Sequence, residues 1–280
     1  MPVRPQRVLL VALTLVAACG GGDGDEAGDT STTVAPAAET TTTTEAVEPL
    51  RILVSNDDGY AAPGIAELVD ALTALPDVEV VVVAPDGNRS GSGGQTTPGG
   101  TTGTDVTMAN GHAAVAVTGF PADAVAYALD VLGEQPDLVV SGVNEGQNLG
   151  PLVDISGTVG AARVAAQRGI PALAVSQGRG SPEPDYASGV AEAIAWIEEH
   201  RDDLAGATRG SVVNINVPTC GNGQPAEAIE VPSASDAAGR DVAIADVDCT
   251  LAATTPSPAD DVDAFNAGYP VLTVISATPG

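Results

Sequence analysis

The chain has 280 residues, of which 44% are hydrophobic and 2% aromatic, and 37 acidic residues against 10 basic ones give a formal net charge of −27. This length suits one large domain, or one domain with an appendage, with a core of Val, Leu, Ile and Ala. The negative charge repels nucleic acid and argues against a DNA- or RNA-binding scaffold, so an anionic substrate would need local Arg, backbone N–H groups or a metal ion.

The N-terminus has the features of a targeting segment over residues 1–19. Arg4 and Arg7 precede an apolar stretch, Val8 to Ala18, that is too short to span a bilayer stably. The following Val16-Ala17-Ala18-Cys19-Gly20 resembles a bacterial lipobox, in which Cys19 is lipidated. We therefore expect an extracytoplasmic protein that a lipid anchors to the cell membrane. The alternative is an ordinary secretory signal with an incidental Cys, which gives a secreted protein.

Residues 20–49 form a low-complexity segment of Gly, Asp, Glu and Thr with almost no large apolar side chains. Such a segment cannot bury a core, and we interpret it as a disordered tether. The folded domain is expected to span residues 50–280.

From Leu50 onward, strand-like apolar runs alternate with helical patterns, and this alternation predicts a mostly parallel sheet with helices on both faces. In the first helix, apolar residues recur at helical spacing from Ile65 to Leu72. The predicted strands are 50–55, 78–84, 137–141, 171–176 and 211–217, and the predicted helices are 63–75, 121–132, 158–168 and 185–204.

Two further features lie outside this alternation. Segments 105–108 and 113–118 flank Asn110-Gly111, which predicts a protruding β-hairpin. Residues 218–280 form a smaller C-terminal extension, whose first part, 218–262, has the pattern of loops and short strands. Its two cysteines, Cys220 and Cys249, are expected to form a disulfide, with free thiols as the alternative.

Polar loops follow the predicted strands, and in a parallel sheet they meet at one edge. The first contains the adjacent carboxylates Asp57 and Asp58, the second contains Ser90, and the third contains Asn144. Neighbouring carboxylates repel each other unless a cation offsets their charge, and a hard divalent ion prefers oxygen ligands. These four residues could therefore bind one divalent metal ion. The alternative is that Asp57-Asp58-Gly59 is a plain turn.

A fourth loop, Ser156-Gly157-Thr158, precedes a predicted helix, so its N–H groups and hydroxyls could bind phosphate. The alternative is a plain N-cap. Arg89 could hold phosphate bidentately, or be a surface charge or a partner for Asp86. Asn148 could position the phosphate or be a turn residue. Asn56 and Gly59 complete the predicted substrate-binding set.

Taken together, these loops resemble the survival protein E (SurE) family of nucleotidases over roughly residues 50–217. The motifs that carry the resemblance are Ile52–Gly59 with Ala62–Ile65, Ala84–Asp86 with Asn88–Gly91, Gly119–Asp123, Pro136–Asn144 with Asn148–Gly150 and Ser156–Val159, and Gly169–Ser176. Ile155 and the pair Pro151-Leu152 depart from the family pattern near the predicted substrate pocket.

The resemblance implies a three-layer Rossmann-like α/β domain and a metal-dependent phosphomonoesterase, a 5'- or 3'-nucleotidase that hydrolyses nucleoside monophosphates. It implies one Mg²⁺, Mn²⁺ or similar ion on Asp57, Asp58, Ser90 and Asn144, and possible assembly as a homodimer. Asp57 and Asp58 are the predicted catalytic residues. Hydrolysis by metal-activated water and Asp57-assisted attack both stay open, and the rival function is a membrane-tethered lipoprotein that binds nucleotide or phosphate without turnover.

Overall fold

The structure is a computed structural model that describes residues 48–180, 184–208, 210–236 and 245–280. The predicted signal peptide with Cys19, and the predicted tether up to residue 47, lie outside the described residues. In the described ranges, no helix has both the length and the apolar character needed to cross a membrane.

Strands and helices alternate along most of the described chain. The strands are β1 (Leu50–Ser55), β2 (Val78–Pro85), β3 (Gly103–Thr107), β4 (Ala113–Val117), β5 (Leu138–Glu145), β6 (Ala172–Gln177), β7 (Val212–Val217), β8 (Cys220–Asn222), β9 (Ile229–Glu230), β10 (Val247–Asp248) and β11 (Val271–Ile275). The α-helices are α1 (Pro63–Thr73), α2 (Pro121–Asp130), α3 (Gly157–Gln167), α4 (Tyr186–His200), α5 (Leu204–Thr208) and α6 (Asp261–Asn266), with 3₁₀ turns at Gly150–Asp154 and Cys249–Thr254.

The central sheet is mostly parallel, as the sequence predicts. The described strands run in the order β3-β4-β2-β1-β5-β6-β7-β11-β9. Six neighbouring strands in this order run parallel to one another: β4, β2, β1, β5, β6 and β7. Strands β3 and β11 run antiparallel to β4 and β7, respectively. The carboxyl ends of β1, β2, β5 and β6 therefore lie at one edge, where the polar loops follow them.

Helices cover both faces of the sheet and give it three layers. On one face, Val54 of β1 belongs to the same buried cluster as Leu68 of α1 and Ile197 of α4. On the other face, Leu53 belongs to a cluster with residues of α2 and α3, among them Val159. Because successive strand residues point to opposite faces, a strand covered on both sides has a continuous apolar run, and residues Ile52 to Val54 of β1 have this pattern.

The predicted hairpin forms, but it extends the sheet rather than protruding from it. Strand β4 pairs with β2 in parallel and β3 pairs with β4 antiparallel at the outer edge. The physical reason lies in the Ala-Val pattern of β4, because Ala114 and Val117 are buried and pack in the two clusters that flank the sheet. Pairing with β2 removes this apolar surface from water.

The C-terminal region contributes more to the sheet than its sequence pattern suggests. Strand β11 inserts next to β7, and β9 pairs with β11. Helix α6 and neighbouring loops form a smaller cluster around the buried Phe265. Cys220 and Cys249 form a disulfide with a Cα–Cα distance of 5.6 Å, which is the predicted pairing. The disulfide joins the first residue of β8 to the second 3₁₀ turn.

Strand β5 is longer than the predicted segment 137–141, because it continues to Glu145 through an irregularity. The register with β6 shifts between Ser141 and Asn144. Gly142 lies there at φ 146°, and a Cβ atom on it would come within 2.3 Å of the Val175 carbonyl oxygen. Only glycine fits this position, and the shift it permits carries Asn144 to the edge where the polar loops meet.

Candidate functional site

The polar loops border a cavity of about 250 Å³ at the carboxyl edge of the sheet. Among the residues predicted from sequence, those that line it are Asp57, Ser90, Asn144, Asn148 and Ser156. They come from three segments: the loop after β1, the loop after β2, and the stretch from the end of β5 to the start of α3. The parallel strand order brings these segments together, since each lies at the carboxyl end of a strand in the central sheet.

Asp57 lies at the base of this cavity and is 3% exposed. Its Oδ1 atom accepts a hydrogen bond of 2.7 Å from the Thr158 hydroxyl. Burial raises the pKa of Asp57, and hydrogen bonds from the Thr158 side chain and from the backbone of Gly157 and Thr158 act in the opposite direction. The N-terminus of α3 therefore faces Asp57, where its N–H groups favour the ionised carboxylate.

Asp58 is held by two loops, although it does not line the cavity. Its Oδ1 accepts a bond of 3.0 Å from Asn88 Nδ2, and its Oδ2 accepts one of 3.0 Å from the Glu145 backbone N–H. Burial, together with the negative charges of Asp57 and Glu145, raises the pKa of Asp58 to about 6. The hydrogen bonds from the Glu145 N–H and from Asn88 act in the opposite direction.

Ser90 and Asn144 are positioned by bonds within their own loops. The Ser90 backbone N–H donates to Asn88 Oδ1 at 3.0 Å, so Asn88 bridges the Ser90 loop and Asp58. The Asn144 amide nitrogen donates to the Gly146 carbonyl oxygen, which leaves the carboxamide oxygen as the atom available to a cation. Both residues line the cavity.

The four predicted ligands fit a hard divalent cation by their chemistry. They offer two carboxylates, a hydroxyl and a carboxamide, all oxygen donors. Neither Asp57 nor Asp58 forms an ion pair with Arg or His in the part of the chain that the structure describes. Two adjacent, largely buried carboxylates without a cationic partner are the situation that a bound cation relieves.

Clusters of the commonest metal-binding side chains are absent from the described residues. No group of three or more His, Cys, Asp or Glu residues in the described ranges is arranged to hold a metal ion. The predicted set is not such a group, since Ser90 and Asn144 supply half of its donors. The assignment of Asp57, Asp58, Ser90 and Asn144 as ligands stays a prediction.

The residues of the predicted phosphate-binding loop are all buried, but only Ser156 among them lines the cavity. Ser156 lines the cavity, and its hydroxyl also accepts a 3.1 Å bond from Val159 N–H as the N-cap of α3. Gly157 and Thr158 are also buried, and their backbone groups form hydrogen bonds with Asp57. Asn148 lines the cavity while its amide nitrogen donates to Ser176 Oγ at 2.9 Å.

The structure gives Asn56, Gly59 and Arg89 contacts away from the cavity. Asn56 is fully buried and closes the turn with Gly59 through two bonds of 3.0 and 3.1 Å. The Arg89 guanidinium donates to Asp86 at 2.7 Å and to the Gly119 carbonyl at 3.1 Å. None of these three residues lines the cavity. Their placement supports roles in shaping the loops, because their hydrogen bonds join Asn56 to Gly59 and Arg89 to Asp86 and Gly119.

Several residues at this site were not predicted. Asn88 bridges two of the predicted ligands. Five other residues line the cavity: Glu145, Gln147, Leu152, Ile155 and Arg179. Asn214 and Asn216 of β7 bind the backbone of Asn148, with Asn216 Oδ1 accepting from its N–H at 2.6 Å. The alternation of two Asn residues in the otherwise apolar Val-Val-Asn-Ile-Asn-Val is a signal that could have identified these two.

Known proteins are similar to this chain in sequence and in fold. Residues 52–238 match the family model described as Survival protein SurE. The chain is 42% identical over 175 residues to the 5'-nucleotidase SurE of Desulfatibacillum aliphaticivorans, an alignment that covers 60% of this chain and 66% of the relative. It is 44% identical over 171 residues to the 5'/3'-nucleotidase SurE of Serratia proteamaculans, covering 60% and 64% of the two chains. The chain thus spans slightly less than two thirds of the length of these relatives.

A solved structure extends the comparison to the fold. The crystal structure of the SurE protein from Aquifex aeolicus superposes with a TM-score of 0.63 at 26% sequence identity, and it covers 82% of this chain and 94% of its own. The family match spans more than half of this chain and includes every predicted metal ligand. The chain therefore belongs to the SurE family.

Proposed function

We propose that this protein is a metal-dependent phosphomonoesterase that hydrolyses nucleoside monophosphates, as a 5'- or 3'-nucleotidase. The observation that carries the proposal is the meeting of Asp57, Ser90 and Asn144 at one cavity, with Asp58 joined to the same loops through Asn88. The names of the relatives, 5'-nucleotidase and 5'/3'-nucleotidase, support the same reaction. No comparison supports the alternative of a binding protein without turnover.

Each residue of the site has a proposed role. A divalent cation, Mg²⁺ or Mn²⁺, supplies Lewis-acid activation of the phosphoryl group and of water when it is bound. Asp57, which Thr158 holds at Oδ1, acts either as the base that accepts a proton from the attacking water or as the attacking group itself. Ser156 and Asn148 bind the phosphate. Leu152 and Ile155 line the same cavity and offer an apolar wall to the nucleoside.

Three further proposals concern the setting of the enzyme. The lipobox-like segment around Cys19 supports anchoring to the outer face of the cell membrane, where the enzyme would scavenge phosphate or nucleosides. Labelling of the full chain with a radioactive fatty acid in cells, compared with Cys19→Ser, tests the anchor. The family resemblance supports a homodimer, which light scattering of the purified protein tests.

The reaction is tested by phosphate release from AMP and from p-nitrophenyl phosphate. We expect EDTA to abolish release and Mn²⁺ or Mg²⁺ to restore it. Asp57→Asn should lower the rate at least about 100-fold, and Mn²⁺ should raise the melting temperature of the wild type but not of this variant. Asp130→Asn, which removes an exposed ion pair with Arg168, is the control and should keep the wild-type rate. A wild-type rate in Asp57→Asn would refute the proposal, and calorimetric binding of AMP without product would favour the alternative.

A further inference from the structure

We propose that Arg179 binds the phosphate of the substrate in this cavity, an inference that rests on the proposed function. Arg179 follows β6 and lies outside the segments that predict the site from sequence. It lines the same cavity as Asp57, Ser90 and Ser156. A guanidinium presents several N–H donors in a planar fork that matches the oxygens of a phosphate.

The charge of the protein favours such a group. The chain carries a formal net charge of −27, and Asp57 and Glu145 add carboxylates to the cavity lining. A phosphomonoester carries negative charge near neutral pH and is repelled by this field. Among the described residues that line the cavity, Arg179 is the one that carries a permanent positive charge. It is therefore the group best suited to offset the charge of the phosphate.

Arg179 is also the least engaged of the arginines that the structure describes. Its ion pair with Glu145 has an Nε–Oε1 distance of 4.0 Å, and its side chain is 61% exposed. The other described arginines each donate at least one hydrogen bond of 3.2 Å or shorter to a protein oxygen; they are Arg51, Arg89, Arg163, Arg168 and Arg201. An exposed ion pair at this distance contributes little free energy, so the guanidinium can leave Glu145 and contact a bound phosphate instead.

The backbone that leads into Arg179 is held by hydrogen bonds to the segments beside it, although the Arg179 side chain is exposed. The Gly178 N–H donates to the Val217 carbonyl at 2.7 Å, and the Gly146 N–H donates to the Gln177 carbonyl at 2.7 Å. A Cβ atom built on Gly146 would lie 3.4 Å from Arg179 Nε. The Arg179 side chain therefore lies directly over Gly146, between the end of β6 and the loop that carries Asn144.

The test uses the full chain as wild type and as Arg179→Gln and Arg179→Lys, with Arg168→Gln as the matched control. Arg168 forms an exposed ion pair with Asp130 and does not line the cavity. Calorimetry with inorganic phosphate in the presence of Mg²⁺ measures binding, and steady-state kinetics with AMP separate KM from kcat. We expect Arg179→Gln to weaken phosphate binding and raise KM about tenfold, with little change in kcat. Arg179→Lys should be intermediate, because it keeps the charge but not the planar fork.

The outcomes separate this inference from the proposed function. If the wild type binds phosphate but releases none from AMP, the proposed function fails, and the ratio of phosphate affinities still decides the role of Arg179. The inference is overturned if Arg179→Gln binds phosphate within about twofold of the wild type, or if Arg168→Gln weakens binding equally. It is also overturned if the wild type does not bind phosphate. A lower melting temperature of Arg179→Gln without weaker binding would assign a structural role.

Discussion

The Thr158 hydroxyl donates a hydrogen bond of 2.7 Å to Asp57 Oδ1, across a sequence separation of 101 residues. The bond joins the first turn of α3 to the loop after β1. Both residues are buried, Thr158 completely and Asp57 to within 3% of its surface. In a buried setting this bond fixes the direction of the carboxylate and leaves Oδ2 as the oxygen that the Thr158 side chain does not engage.

Thr158→Val removes the donor while it keeps the shape of the side chain. We expect the rate of phosphate release from AMP to fall about 10- to 100-fold, because a hydrogen-bond partner behind a predicted metal ligand tunes the orientation of that ligand. The free energy of unfolding should fall by about 1 kcal/mol. Thr158→Ser keeps the hydroxyl and should retain most of the activity. Steady-state kinetics and thermal melts of both variants check this, and equal rates for Val and Ser would contradict it.

Asn88→Ala should weaken metal binding more than substrate binding. Asn88 donates to Asp58 Oδ1 and accepts from the Ser90 N–H, so its removal releases two predicted ligands from one another. We expect the Mn²⁺ concentration for half-maximal activity to rise about tenfold, with recovery of the rate at high Mn²⁺. A Mn²⁺ titration of the rate measures this. An unchanged titration midpoint would show that Asn88 does not organise the site.

Gly157→Ala should displace Asp57. A Cβ atom at this position would lie 2.7 Å from Asp57 Cβ and 2.9 Å from both Asp57 Oδ2 and Ser92 Oγ. We expect destabilisation on the order of 1–3 kcal/mol and a loss of activity. Gly94→Ala is the control, because its Cβ would meet no atom within 4 Å. Denaturant unfolding and kinetics of the pair check the prediction, and it fails if both variants behave alike.

Reduction of the disulfide should lower stability without loss of activity at 25 °C. The bridge closes a loop with a sequence separation of 29 residues, and neither cysteine lines the cavity. Chain entropy predicts a loss of about 3.5 kcal/mol on reduction. Melting curves of the wild type with and without dithiothreitol, and of the double variant Cys220→Ser/Cys249→Ser, measure the loss. An activity loss at 25 °C in the double variant would indicate that the C-terminal region shapes the cavity.

Local patterns were sufficient for the strands and helices that precede and flank the candidate site. The apolar run at 50–55 matches β1 in both bounds, and the predicted helix 63–75 begins at the first residue of α1. These elements are readable because their periodicity reports which face is buried, and burial drives their formation. The same reasoning places Asp57, Ser90, Asn144 and Ser156 at one edge, since parallel strands share a direction.

The position of β11 was decided by tertiary contacts. The segment Val271–Ile275 has an ordinary strand pattern, and its place beside β7 depends on a surface that exists only after the parallel sheet has formed. Helix α6 shows the same dependence. Its buried Asp261 accepts bonds of 2.9 Å from the Gly150 N–H and 2.8 Å from the Ala234 N–H, contacts with distant loops that no local spacing encodes.

At the candidate site, Arg89 and Arg179 show the same contrast between what the sequence indicates and what the folded chain decides. The sequence places Arg89 in a polar loop and therefore indicates it as a phosphate ligand, but Asp86 and the Gly119 carbonyl engage it in the folded chain. Arg179 has no such signal, and it reaches the cavity because β6 lies beside β5. The order of residues along the chain determined which loops meet, whereas the direction of each side chain depended on partners that only the folded chain supplies.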